Sequence, residues 1–145
     1  MDVLLSIRPE YTEKLFSGEK RYEFRKRKPK ESIGKALVYE SRGSGLILGW
    51  FSVRTIHSGS PRDIWERCKD YGGIEEENYV RYCNGNKLIH ALEVDQVVRF
   101  NPPIDPFDVV PDFKPPQDFA YVTDDFFHPP SIESGEVRRC PLNSD

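Results

Sequence analysis

A short run of charged side chains carries the groups in this 145-residue sequence that are best suited to chemistry: Lys20, Glu23 and Arg25. A lysine that is desolvated or set beside other cations has a lowered pKa, and its neutral amine acts as a base or a nucleophile. A carboxylate among guanidinium groups stays ionised, so Glu23 suits orienting them or accepting a hydrogen bond from a base. If the chain is an enzyme, Lys20 and Glu23 are therefore the predicted catalytic residues.

Basic residues dominate the same segment and predict contacts with phosphate. Residues 1–60 carry twelve Lys and Arg against seven Asp and Glu, whereas residues 61–145 are net acidic within an overall charge of −3. Each phosphate contact adds a salt-dependent contribution to affinity by releasing counterions. The alternative is a solvated loop whose charge keeps a sheet edge from aggregating. The basic residues concerned are Lys20, Arg21, Arg25, Lys26, Arg27, Lys28 and Lys30.

Charged and aromatic residues alternate over residues 21–25, which predicts a strand over residues 20–25 that carries the charged side chains named above. Tyr22 and Phe24 share one face and are predicted to be core, with base stacking as the alternative. Glu23 lies on the other face with the guanidinium groups. Strict alternation puts Lys20 opposite Glu23, so a joint site requires a bulge or a strand that starts at Lys20.

The remaining periodicities predict short strands and helices in an order that lacks the regular alternation of a doubly wound fold. We predict an α+β fold, a small mixed sheet or barrel with helices at its mouth. Nine of the 12 prolines follow residue 100, so we predict a domain over 1–106 and a proline-rich C-terminal extension over 107–145 without long regular elements. The predicted strands are 3–7, 36–41, 46–56 and 87–100, and the predicted helices are 9–17, one that begins at Pro61, and 75–83.

Cysteine, histidine and apolar patterns argue against several other classes of protein. The three cysteines and three histidines include no CxxC or HxxxH spacing, so we predict no structural zinc, no disulfide framework and no other cofactor. Each histidine is predicted to be structural. Because no apolar run approaches the ~20 residues of a membrane span, and the opening stretch is too short for a signal peptide, we predict a cytoplasmic protein without membrane contact.

Gly18, Lys20, Glu23 and Arg25 fit the spacing G-x-K-x-x-E-x-R, which resembles the signature of the ASCH domain family. The resemblance spans roughly residues 2–106. It implies a PUA-like β-barrel that binds RNA, another nucleic acid or a modified nucleoside, in some members with a regulatory role. The predicted partner is therefore RNA or a nucleotide-like ligand. The other similar segments are residues 4–9, 89–94 and 99–104.

The resemblance implies that Ser6 and Arg8 line the barrel mouth, where the guanidinium of Arg8 can donate two parallel hydrogen bonds to a phosphate. Ser41 at the end of the next strand has the same predicted role. For each of these residues the alternative is an ordinary structural role, as a buried hydroxyl or as an arginine with its charged end in solvent.

The resemblance also leaves open a small hydrolase that uses Lys20. One branch of the family removes acetyl from N4-acetylcytidine with a lysine, a threonine and a distant glutamate, and other members cleave single-stranded RNA. Lys20 matches that lysine, whereas Glu23 stands where the threonine would be. A third hypothesis is a regulatory protein whose proline-rich extension, residues 107–145, binds a protein partner.

Overall fold

The computed structural model describes residues 1–122 and the backbone of a short strand at 137–139. Helices and strands alternate irregularly along the chain, as predicted. The strands are β1 (Asp2–Ile7), β2 (Tyr22–Arg25), β3 (Lys35–Glu40), β4 (Ile47–Gly59), β5 (Ile89–Ile104), β6 (Phe119–Val122) and β7 (Val137–Arg139). The helices are α1 (Pro9–Ser17), α2 (Pro61–Cys68), α3 (Glu76–Cys83) and α4 (Pro106–Val109), with a 3₁₀ turn at Lys69–Tyr71.

The strands form one mixed sheet in the order β2-β5-β4-β3-β1-β6, and β7 pairs with another part of β5. β1 and β3 are parallel, and the other pairs are antiparallel. This confirms a mixed α and β fold. Across residues 1–122 and 137–139 no ladder joins β2 to β6, so backbone pairing leaves the sheet open and the predicted barrel stays a prediction.

Local signals set the ends of the helix that precedes the charged segment. Pro9 occupies the start of α1, where its missing N–H removes no helical hydrogen bond. Gly18 ends the helix with a φ of +87° and donates its N–H to the Leu15 carbonyl. Helix α1 therefore has the predicted bounds, and Lys20 follows three residues after its last residue.

Strand β2 is buried along its whole length, which fixes the side chains that it carries. Tyr22 and Phe24 pack beneath α2 and α3, together with Cys68, Tyr79 and Ile89. They are core, as predicted, and their buried rings offer no surface to a base. A second core joins the sheet to α1, and a third lies on the opposite side of the sheet.

Part of the proline-rich extension folds against the sheet. Phe113 and Val122 are buried in the same core as Leu4, and β6 pairs with β1. β5 runs past its predicted end at residue 100. Among the described strands its last residues pair with β4 on one side only, and prolines are tolerated on such an edge because the N–H that they lack has no ladder partner there. The limits 1–106 and 107–145 themselves stay predictions.

No helix within the described residues is both long and apolar enough to cross a membrane. Cys68 and Cys83 are buried free thiols, whereas His128 and Cys140 lie outside the described residues.

Candidate nucleic-acid interface

Lys20 lies between α1 and β2, with its side chain turned into the protein. Its Nζ donates a hydrogen bond of 2.6 Å to the Gly72 carbonyl. The same atom is 5.0 Å from the ring centre of Phe24 and 5.3 Å from that of Tyr11. Only 2% of Lys20 is exposed. A lysine is almost never buried this completely without a specific reason.

The surroundings of Lys20 make its ammonium group easier to deprotonate than that of a surface lysine. Burial lowers the pKa of Lys20 below its ordinary value of 10.5, the cations of Arg25 and Lys14 lower it further, and the Glu23 carboxylate partly offsets them. Strand β2 begins at Tyr22, so strict alternation does not extend back to Lys20. Glu23 and Arg25 act electrostatically on Lys20, and we treat the three residues as one charged cluster. The amine of Lys20 gives up a proton more readily than that of a surface lysine does.

Two glycines between α2 and α3 cover the Lys20 side chain. Gly73 has a φ of +64°, and a Cβ placed there would lie 2.7 Å from the Cβ of Lys20. A Cβ at Gly72 would lie 3.2 Å from the Phe24 ring. Only glycine fits both the backbone conformation and the space at residue 73.

Gly73→Ala is expected to destabilise the protein and displace Lys20. Gly85→Ala is the matched control, because Gly85 has a φ of +76° but a Cβ placed on it would meet no other atom within 4 Å. The left-handed backbone costs both variants about 1–2 kcal/mol, and the clash should cost Gly73→Ala roughly 1–3 kcal/mol more. Urea denaturation measures the two losses. Equal losses would show that Lys20 does not pack against residue 73.

Arg25 ties β2 to β1 and to the segment before β6. Its Nη2 donates to the Ser6 carbonyl at 2.9 Å, and its Nη1 donates to both the carbonyl and the Oδ1 of Asp118 at 3.0 Å. The Oε1 of Glu23 lies 3.7 Å from Nη2. The guanidinium therefore bridges the gap in the sheet that no ladder closes among the residues described.

Two polar atoms of this cluster are buried and have no hydrogen-bond partner among the described residues. They are the Oε2 of Glu23 and the Nε of Arg25. Leaving a buried polar group unsatisfied costs about 1–3 kcal/mol, and more for a charged group, so such atoms suggest a place for water or a ligand. An unpartnered acceptor and an unpartnered donor suit a ligand that also donates and accepts, as the edge of a nucleobase does.

Ser6, Arg8 and Ser41, the residues predicted to line the barrel mouth, differ in their exposure and in their hydrogen bonds. The Ser6 hydroxyl donates to the Pro116 carbonyl at 2.6 Å, so its proton already has a partner within the chain. Arg8 is exposed at the start of α1. Ser41 is half-buried and follows β3, the parallel neighbour of β1. Arg8 and Ser41 thus lie at the same end of the sheet.

The basic segment lies along the surface beside this cluster. Arg27 and Lys28 are exposed, as is Lys30. Several of the basic side chains lie over aromatic rings, an arrangement that holds a cation in place. The distances to the ring centres are 4.0 Å for Arg21 over Tyr71, 4.9 Å for Lys26 over Tyr82 and 5.9 Å for Arg27 over Phe119.

The two histidines in the described residues have local partners. His57 Nε2 lies 2.8 Å from Glu93 Oε1, and His90 Nδ1 lies 2.7 Å from Ser58 Oγ. Burial lowers the pKa of His90. These contacts fit the structural role predicted for both.

Sequence reasoning missed Asp118, which binds Arg25, and Tyr11, whose ring faces Lys20. The helical spacing of Tyr11 in α1 indicates a packed position but not its neighbour. Asp118 lies 93 residues from Arg25, and the prolines around it predict only irregular chain.

The sequence of this chain matches one family model and is similar to several known proteins. A family model described as the ASCH domain matches residues 5–99. An ASCH domain-containing ribonuclease of Zymomonas mobilis is 24% identical over 128 residues, which cover 83% of this chain and 84% of that protein. ATP synthase subunit alpha of Ureaplasma parvum is 29% identical over 104 residues, covering 71% of this chain and 13% of that protein.

Solved structures share the fold. The crystal structure of ASCH from Zymomonas mobilis aligns with a TM-score of 0.76 at 24% identity, covering 86% of this chain and 89% of that one. A tyrosine-to-phenylalanine variant of the same protein aligns with a TM-score of 0.76 at 23% identity, covering 86% and 91%.

Proposed function

Because the chain belongs to the ASCH domain family, we propose that it binds single-stranded RNA in a cleft formed by Lys20, Glu23 and Arg25. The observation that carries this proposal is the pair of unpartnered buried atoms, Glu23 Oε2 and Arg25 Nε, next to an exposed cationic segment. The Zymomonas mobilis relative is named a ribonuclease, which supports an RNA-related function.

The two parts of the site suit the two parts of a nucleotide. The unpartnered acceptor and donor suit the edge of an unpaired base, which single-stranded RNA can turn outward. Exposed Arg27, Lys28 and Lys30 suit phosphates, which provide affinity without reading sequence. Arg25 uses its terminal nitrogens on Ser6 and Asp118, so its role is to hold the cleft together and to present Nε.

A salt series tests the binding. Labelled single-stranded RNA should bind at low salt, and the logarithm of its affinity should fall linearly with the logarithm of salt concentration, by about 0.7 per phosphate contact. Combining Arg27→Gln, Lys28→Gln and Lys30→Gln should weaken binding and reduce that slope by about 2. Fluorescence anisotropy measures both quantities.

The matched control combines Arg62→Gln, Arg81→Gln and Lys87→Gln, which removes the same charge from exposed positions elsewhere. This control should retain most of the affinity. Absence of binding by the wild-type protein at low salt, or an equal loss in both variants, would contradict the proposal.

RNA cleavage by Lys20 is a second candidate function, favoured by the lowered pKa of its buried amine. The neutral Nζ would take the proton of a 2′-hydroxyl, whose oxygen attacks the adjacent phosphorus. The bond from phosphorus to the 5′ oxygen breaks, that oxygen takes a proton from solvent, and Lys20 returns its proton to solvent. The products are a 2′,3′-cyclic phosphate and a 5′-hydroxyl. Deacetylation of acetylcytidine is less favoured, because Glu23 replaces the threonine of that branch.

The contacts of Arg25 also support the PUA-like barrel that the family implies. Its guanidinium spans from β2 to Ser6 on β1 and to Asp118 before β6. The Arg25 side chain would thus join the two ends of the sheet, which no backbone ladder joins among the described residues.

A further inference from the structure

We infer that Tyr121 is a stacking platform for a base next to the cleft, a subsite that rests on the proposed binding of RNA. Tyr121 lies on β6 with 43% of its surface exposed. Its hydroxyl accepts a hydrogen bond of 2.9 Å from the Lys30 N–H. The ring is therefore attached to the basic segment while much of its surface stays open to solvent.

The ring of Tyr121 is held in a fixed orientation. Phe119 supports it edge-on, with ring centres 5.8 Å apart and an interplanar angle of 82°. Phe119 itself is half-buried against the core and has the Arg27 guanidinium over its ring. Because Tyr121 is fixed both at its hydroxyl and along its edge, stacking a base on it orders little that is not already ordered.

The platform is continuous with the cleft. Asp118, three residues before Tyr121, contacts Arg25, and three residues of extended chain span about 10 Å. Lys28 and Lys30 are exposed in the segment to which the ring is attached, so they can take the phosphate of the nucleotide whose base is stacked. A stacking face beside a cationic track is the arrangement by which proteins bind single strands.

The other exposed aromatic side chains of the described residues lack this combination. Tyr71 has the guanidinium of Arg21 over its ring at 4.0 Å. Phe107 is 54% exposed, but it lies between Asp105 and Asp108 in sequence, and their carboxylates repel phosphate. Of these exposed rings, Tyr121 is therefore the one that we expect RNA to contact, because it lies beside cationic side chains.

The test uses the full-length protein and single-stranded RNA that contains 2-aminopurine, a base whose fluorescence is quenched by stacking. Tyr121→Ala should weaken binding about 5- to 150-fold, the equivalent of one stacked base, and should reduce quenching. Tyr121→Phe keeps the stacking face but loses the hydrogen bond from Lys30, so it should still quench the fluorescence and should lose much less affinity than Tyr121→Ala does. Phe107→Ala is the control for loss of an exposed ring and should change neither readout.

Tyr121→Leu provides a second variant that keeps an apolar side chain on the strand, and it should also lose quenching. If the wild-type protein binds RNA but Tyr121→Ala and Tyr121→Leu bind and quench as it does, the stacking subsite is wrong while RNA binding stands. If the wild-type protein binds no RNA, the proposed function fails first and the subsite with it.

Discussion

Lys20→Met is expected to slow cleavage of single-stranded RNA about 10²–10⁴-fold, the usual contribution of a positioned general base. Methionine fills a similar volume but has no amine to take the 2′-hydroxyl proton. Gel analysis of end-labelled RNA measures the rate. Lys87→Met is the control, because Lys87 is an exposed lysine between α3 and β5 and its loss should matter little to the rate. Equal rates for Lys20→Met and the wild-type protein would exclude Lys20 as the base.

The pH dependence of stability gives this variant an independent readout. The pKa of Lys20 is lowered by burial in the folded protein, so between that folded value and about 10.5 the unfolded chain binds more protons. The stability contribution of the neutral amine therefore grows as pH rises through this window and is lost as pH falls through the folded pKa. The stability of Lys20→Met relative to the wild-type protein should accordingly fall as pH rises. A constant difference across this range would show that Lys20 has an ordinary pKa.

Arg25→Leu is expected to lower the free energy of unfolding by about 3–5 kcal/mol, because it leaves a partner carboxylate buried without its cation. Glu23 is 8% exposed and has Arg25 as its ion-pair partner. The variant also removes the donors to Ser6 and Asp118. Urea denaturation at neutral pH measures the loss.

Arg27→Leu is the matched control for Arg25→Leu, since Arg27 lies in the same segment but is exposed. It should change stability by no more than about 0.5 kcal/mol. A loss below about 1 kcal/mol for Arg25→Leu would mean that the bridge between β2 and β1 contributes little to the fold.

Local features of the fold were predictable because their causes are local. Pro9 and Gly18 define α1 from neighbouring residues alone, and alternation assigns Tyr22 and Phe24 to the core. The spacing of Lys20, Glu23 and Arg25 likewise identifies a charged group from sequence alone. In each case the signal lies within a few residues of the feature.

Long-range contacts were not predictable. Sequence indicates that Arg25 is charged and shares a strand face with Glu23, but its burial against Asp118 depends on a segment 93 residues away. The prolines near Asp118 disfavour regular structure, yet Phe113 and Val122 find a place in the core. Tyr121 gives no signal in sequence either, because its hydrogen bond to Lys30 joins residues 91 positions apart.

Titration of ¹⁵N-labelled protein with a short single-stranded RNA, followed by amide chemical shifts, tests RNA binding in the cleft most directly. Binding there predicts the largest shifts at residues 20–30 and 118–121, with little change around Val80 and Phe107, which are exposed elsewhere. Saturating RNA that shifts no amide, or that shifts only the region around Val80 and Phe107, would contradict it.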